Sequence, residues 1–216
     1  MKIALIGASG FVGKAVLKEL LDRGHSVTAI VRNAGNLQPE NGVTILAGDA
    51  TDKDFLSKAV KGSDAVVSAY NAGWTNPNLY HDFLAGSLAI QEAVKQSGVK
   101  RLLVVGGAGS LFIAEGQQLV DSPKFPAEYK AGASSARDYL NELKKETQLD
   151  WVFLSPAIEM HHGTSGERKG KYRTGKDNPV FDTNGRSVLS VEDLAVVIAD
   201  ELEQQNHHRE RFTAAY

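Results

Sequence analysis

The chain opens on a short apolar run, Lys2-Ile3-Ala4-Leu5-Ile6, that passes directly into Gly7-Ala8-Ser9-Gly10-Phe11-Val12-Gly13. Ile3 to Ile6 reads as a strand, and Val12, Val16, Leu17, Leu20 and Leu21 recur at helical spacing. A strand that turns through glycines into a helix aims the unpaired N–H groups of the helix start at one point, which suits an anion such as a pyrophosphate. Each glycine has its own task. Gly7 allows the sharp turn, Gly10 leaves room for a phosphate against the backbone, and Gly13 lets the helix pack closely on the strand. The spacing is GxxGxxG rather than GxGxxG, and a glycine-rich turn without a ligand is the alternative.

Strand and helix patterns then alternate. Ser26 to Val31, Val43 to Ala47, Ala65 to Ser68, Leu102 to Val105 and Trp151 to Leu154 read as strands. Thr51-Asp52-Lys53-Asp54 starts a helix with Thr51 as its cap, and helices are expected over Pro77–Ser97, Glu128–Thr147 and Val191–Gln204. This order predicts an α/β, Rossmann-type doubly wound parallel sheet with helices on both faces, and a ligand across the carboxyl ends of its strands. Phe212 to Tyr216 reads as a last, short edge strand. From His161 to about Arg186 the pattern breaks into a polar, glycine-rich stretch carrying Arg168, Lys169, Lys171, Arg173 and Lys176. It is expected to be a small substrate-side segment, either a solvated loop or an anion-attracting lid. No repeat or linker divides the chain, so residues 1–216 are expected to form one domain.

Composition excludes several classes. A net charge of −2 gives no reason to expect a nucleic-acid partner, and the lack of cysteine removes disulfides and thiolate chemistry. No stretch approaches the roughly 20 apolar residues that span a bilayer. The apolar start is broken by glycines and lacks a cleavage site, so a cytoplasmic protein with no membrane partner is expected. His161-His162 has no third ligand at suitable spacing, so no metal is expected; a histidine in a substrate wall suits the place better. His207-His208 reads as a solvated helix end.

Where a carboxylate normally grips the adenosine ribose of NAD, about 20 residues past the glycines, this chain has Val31-Arg32-Asn33. A guanidinium there holds a 2′-phosphate, so NADP(H) is expected in preference to NAD(H), with Lys14 adding to the positive field. The alternative is a solvated charge at a strand end.

With the glycine motif, Val31-Arg32-Asn33, Gly48-Asp49-Ala50-Thr51-Asp52 and Ser190-Val191-Glu192-Asp193-Leu194-Ala195, nearly the whole chain resembles an atypical short-chain dehydrogenase/reductase. More narrowly, it is similar to the NAD(P)H-binding group named for NADH-flavin reductases, related to the biliverdin-IXβ/flavin reductases and NmrA-like proteins. The resemblance implies that Ser9, Gly10, Phe11 and Val12 hold the pyrophosphate and that Asp49 and Ala50 flank the adenine. Ala69, Tyr70 and Asn71 would line the cofactor, Gly106 and Gly107 border the nicotinamide ribose, and Pro156 sit beside the ring. Asp49 as a turn residue and Pro156 as a strand terminator are the alternatives. Trp74, Ile158 and His161 are candidate substrate contacts, with Trp74 and Tyr80 as core filler the alternative.

The candidate catalytic residues are Ser110 and Tyr129, but the sequence departs from the reductase pattern there. Carbonyl reductases of this class use Tyr-x-x-x-Lys, and one turn beyond Tyr129 stands Ala133. Tyr129 is otherwise a packing or substrate-wall residue. Hydride transfer to a conjugated ring spreads the charge and can take its proton from water, so the implied activity is reduction of a free flavin or a quinone, with flavin a substrate and not tightly bound. A catalytically silent NmrA-like redox sensor is the alternative, and a nucleotide-sugar epimerase or dehydratase the third.

Overall fold

A computed structural model describes all residues, Met1–Tyr216. In chain order its elements are β1 (Lys2–Ile6), α1 (Phe11–Asp22), β2 (Ser26–Val31), β3 (Val43–Ala47), α2 (Lys53–Val60), β4 (Ala65–Ser68), α3 (Leu79–Ser97) and β5 (Arg101–Val105). There follow β6 (Phe112–Ala114), β7 (Gln117–Gln118), α4 (Ala127–Leu143), β8 (Asp150–Ser155), β9 (Arg173–Gly175), α5 (Val191–Gln204) and β10 (Glu210–Ala215).

The eight-stranded sheet runs β3-β2-β1-β4-β5-β8-β10-β9, parallel throughout except for β9, while β6 and β7 form a separate hairpin. Alternate residues of each strand go to opposite cores. Ile3 and Leu5 of β1 join α1 and α5 on one face; Ala4 and Ile6 join the layer of α2, α3 and α4 on the other. Burial on both faces is why these strands are apolar runs rather than alternating ones. The expected doubly wound parallel sheet is therefore present. Its order reverses between β1 and β4, and this opens a crevice beyond their carboxyl ends.

Four local expectations need correction. The last strand is not an edge: β10 lies between β8 and β9, with Thr213, Ala214 and Ala215 fully buried. The edge is β9, from the polar stretch, whose Arg173-Thr174-Gly175 carries no apolar signal because it pairs on one side only. Helix α4 stops at Leu143, where the Glu146 carboxylate takes the N–H groups of Gln148 and Leu149 and turns the chain into β8. Asp52, not Thr51, caps α2, accepting from Asp54 and Phe55, while Thr51 donates to Asp49. Of His207-His208, only His208 is solvent-exposed as expected; His207 is half-buried. His207 stacks on Phe212 at 4.2 Å and bonds Glu201, and His208 bonds Asp150.

Those histidines belong to a charged cluster at the amino ends of β5, β8 and β10. Arg101, 5% exposed, donates to Glu201, Asp150 and the His207 carbonyl. Removing one member of such a buried pair strands the other in a medium that solvates it poorly. Arg101→Met should therefore cost about 3–5 kcal/mol in urea unfolding, and adding Glu201→Leu should restore most of that loss. Equal stability of the single variant and the parent would show that the cluster is inert.

Candidate cofactor cleft

The crevice begins at the glycine turn. Gly7 has φ +79, and a Cβ on it would stand 2.5 Å from the Ala69 carbonyl oxygen at the end of β4. A Cβ on Gly13 would stand 2.0 Å from the Gly7 carbonyl, so α1 is seated on the turn's own backbone. A Cβ on Gly10 would meet one atom within 4 Å, the Gly7 carbonyl oxygen at 3.3 Å, so this glycine is crowded by the turn alone and is otherwise open. Helix α1 has no side-chain cap and no acid in its first turn, so the N–H groups of Phe11, Val12 and Gly13 remain available to an anion. By contrast, Asp52 caps α2 and Ser190 caps α5.

From this turn a cleft of about 660 Å³ extends over the carboxyl ends of β1 to β4. Gly7, Ser9, Gly10, Arg32, Asp49, Ala50, Ala69, Tyr70 and Asn71 all line it. Arg32 is the one arginine in the chain that makes no hydrogen bond; the other eight all donate to carboxylates or carbonyls. Asp49 sits in a turn, accepting the Thr51 N–H at 2.9 Å and its hydroxyl at 2.8 Å. These bonds, with the charge of Arg32 adding, hold its carboxyl below the usual range. The Tyr70 phenol is raised, chiefly by burial. Its ring stacks on Phe83 at 5.9 Å and is admitted by Gly86 of α3, where a Cβ would meet the phenol oxygen at 2.4 Å. The contribution of α3 to the wall, through Asp82, Ala85, Gly86 and Ala89, was missed from sequence. An isolated glycine inside a helical pattern was the available signal.

Gly106 and Gly107, which follow β5, and the buried Pro156, which follows β8, do not line this cleft; Gly106 instead lies against Phe153, whose ring a Cβ there would meet at 2.0 Å. Ser110 does not serve as an open catalytic hydroxyl. It is 1% exposed, and its oxygen is engaged by the Gly107 carbonyl, Ser155 Oγ at 3.1 Å and the buried Arg211. Arg211 is itself paired with Asp177. Neither Ser155 nor Arg211 was singled out from sequence, because the β5–β8 pairing brings the first to Ser110 and the β8–β10 pairing the second. Tyr129, in the first turn of α4, is 51% exposed and has no hydrogen bond from its hydroxyl; its ring meets Trp74. Ala133 faces Gly109, whose missing Cβ would stand 2.8 Å from it, so the position one turn beyond Tyr129 is close-packed. Tyr80 donates to Asp138 at 2.6 Å and is not free to serve a ligand through its hydroxyl.

The polar segment is strapped down. His161 accepts the Gly163 N–H and caps a short turn, and His162 packs on Phe11 at 4.0 Å between ring centroids. Ile158 is 38% exposed beyond Pro156. Arg168 forks onto Glu19 of α1, and the buried Asp193 accepts the N–H groups of Lys169 and Gly170. Arg168 holds the Glu19 carboxyl below its usual range, against the opposing effect of burial. Lys169 lies over the Tyr216 ring, Arg173 donates to the Phe181 and Tyr216 carbonyls, and Lys176 pairs with Glu210. Only Lys171 of the five cations is unengaged, and none lines the cleft. All five are exposed to solvent, in keeping with the solvated-loop alternative. No helix is long and apolar enough to cross a membrane.

An uncapped helix start, an open glycine backbone and an unpaired guanidinium over one cleft fit a dinucleotide phosphate by phosphate. Known proteins agree. YwnB of Bacillus subtilis, whose function is uncharacterised, is 43% identical over 99% of this chain and 97% of its own. Among solved structures, a Bacteroides thetaiotaomicron protein provisionally named an epimerase is 46% identical with a TM-score of 0.92, over 100% of this chain and 96% of its own. A Streptococcus pneumoniae protein provisionally named an NADH-flavin reductase is 34% identical with a TM-score of 0.86, over 100% and 99%. The profile of the NAD(P)H-binding family matches residues 7–205, from the first motif glycine to the end of α5, and the chain is a member of that family.

Proposed function

We propose that the protein is an NADPH-preferring reductase that passes a hydride to a flat conjugated acceptor, a free flavin or a quinone. The observation that carries this reading is one contrast: a dinucleotide cleft with a free guanidinium, beside an acceptor side without a tyrosine–lysine relay. Bound NADPH would supply the hydride, which a flavin would take at N5 with a solvent proton at N1, giving NADP⁺ and reduced flavin.

The chain's own residues then have limited tasks. Phe11, Val12 and Gly13 offer N–H donors to the pyrophosphate, and Arg32 holds the 2′-phosphate. Thr51 keeps the ionised Asp49 turned into its own loop, so that this carboxylate does not compete for Arg32. Gly106, Gly107 and Pro156, at the ends of β5 and β8, would border the nicotinamide, and catalysis would come from proximity and orientation. Reduction of an isolated carbonyl would need a proton at the developing alkoxide, and Ala133 and the enclosed Ser110 supply none. The same lack argues against epimerase chemistry, whereas the reductase name of the pneumococcal relative accords with the reading.

Two outcomes test it. Arg32→Glu replaces a charge-assisted bond with a repulsion and should weaken NADPH binding by about 2–3 kcal/mol, roughly thirty- to 150-fold, while leaving NADH little changed. Calorimetry showing equal affinities for the two cofactors in the unmutated protein would end the NADP assignment. Stopped-flow mixing of NADPH-loaded protein with FMN or a quinone should give oxidation well above the uncatalysed rate, slowed by deuterium at C4. Tight NADPH binding with no oxidation of any flavin, quinone or bilin would favour the redox-sensor reading instead.

A further inference from the structure

Trp74 and Tyr129 are the two most exposed large apolar side chains of the protein, at 60% and 51%. Both are nevertheless held in place. The outer edge of the Trp74 indole rests on Gly132 of α4, so closely that a Cβ there would lie 2.9 Å from Cζ3. The Tyr129 ring meets the indole nearly at a right angle, 87°, with 5.8 Å between centroids. The backbone beneath Trp74 is fixed from the cleft side. Asn71, a cleft-lining residue, accepts the Gly73 N–H at 2.7 Å, and Gly73 takes φ +104 to send the chain back toward α4. On α4 the next residue, Ala133, abuts Gly109 in the turn after β5. The pair thus stands on the rim that joins the cleft to the end of β5.

Ordering two large rings while leaving more than half of each in water returns little hydrophobic stabilisation for the rotamer freedom lost. The seat makes sense if something flat completes the burial. Two perpendicular rings form a corner in which a planar molecule lying against one ring meets the other edge-on. Both are favoured aromatic geometries, and a fused system covers more of the two rings at once than a single ring does.

We propose that Trp74 and Tyr129 form the acceptor's stacking platform and select fused two- and three-ring systems, such as naphthoquinones and isoalloxazines, over single rings. The occupant's role as an electron acceptor rests on the reductase reading; its binding does not. In the presence of NADP⁺, which permits no turnover, riboflavin should quench tryptophan emission saturably. The quench should be lost in Trp74→Phe, which keeps only the buried Trp151. In steady-state assays Trp74→Ala should raise KM for menadione about tenfold, and KM for benzoquinone by less than twofold, with NADP⁺ affinity as the check on folding. A quench that persists in Trp74→Phe, or menadione and benzoquinone KM values that move together, would overturn the platform while leaving the reductase intact. A Trp74-dependent quench in a protein that oxidises no NADPH would keep the platform and remove the reductase reading.

Discussion

The contact on which the rest of the structure depends is a backbone-to-backbone one, the seat of α1 on the carbonyl of Gly7. With no side chain between helix and turn, the helix start lies as low as it can over the end of β1, and β4 closes against the same turn through Ala69. The reversal of strand order falls between these two strands, so a single close approach sets both the crevice and the donors that face it. It also fixes α1 against α5, which the strap at Arg168 and the ion pairs from Arg23 to Asp200 and Glu203 then secure.

Charge is distributed accordingly. At the amino ends of the strands, Arg101, Glu201, Asp150 and the two histidines satisfy one another; at the carboxyl ends, Arg32 satisfies nothing. The other eight arginines all donate to carboxylates or carbonyls, and the one that does not lies over the cleft. The same end holds the exposed Trp74 and Tyr129, so the groups that gain least from the fold are gathered where a ligand can complete them.

Much of this was legible in the sequence because it is periodic or local. The strands from Ile3 to Leu154 are continuous apolar runs, the glycine turn is contiguous, and Arg32 lies at a fixed distance from it. What escaped was whatever depends on partners distant in the chain. Phe212 to Ala215 looks the same whether it is an edge or an interior strand; only the polar Arg173-Thr174-Gly175 beside it decides. The basic run looked like a free charged loop because Glu19 and Glu210, which take up two of its cations, lie far off in sequence. Ser110 stands at a plausible catalytic position, and only the pairing of β8 with β5 and with β10 reveals that Ser155 and Arg211 enclose it.

The three motif glycines, written as one pattern, answer to two separate demands. A methyl group at Gly13 or Gly7 collides outright with the protein's own backbone, whereas one at Gly10 makes a single tight contact, 3.3 Å from the Gly7 carbonyl oxygen, that a shift of a few tenths of an ångström relieves. Loss of either outer glycine is thus a lesion of architecture, visible to the cell as a protein that fails to accumulate. Loss of the middle one strains the turn far less and puts the new methyl group where a ligand's phosphate would approach. Such a chain could survive as a scaffold and drift toward a different use, which makes Gly10 the hinge between keeping this fold and keeping its present occupation.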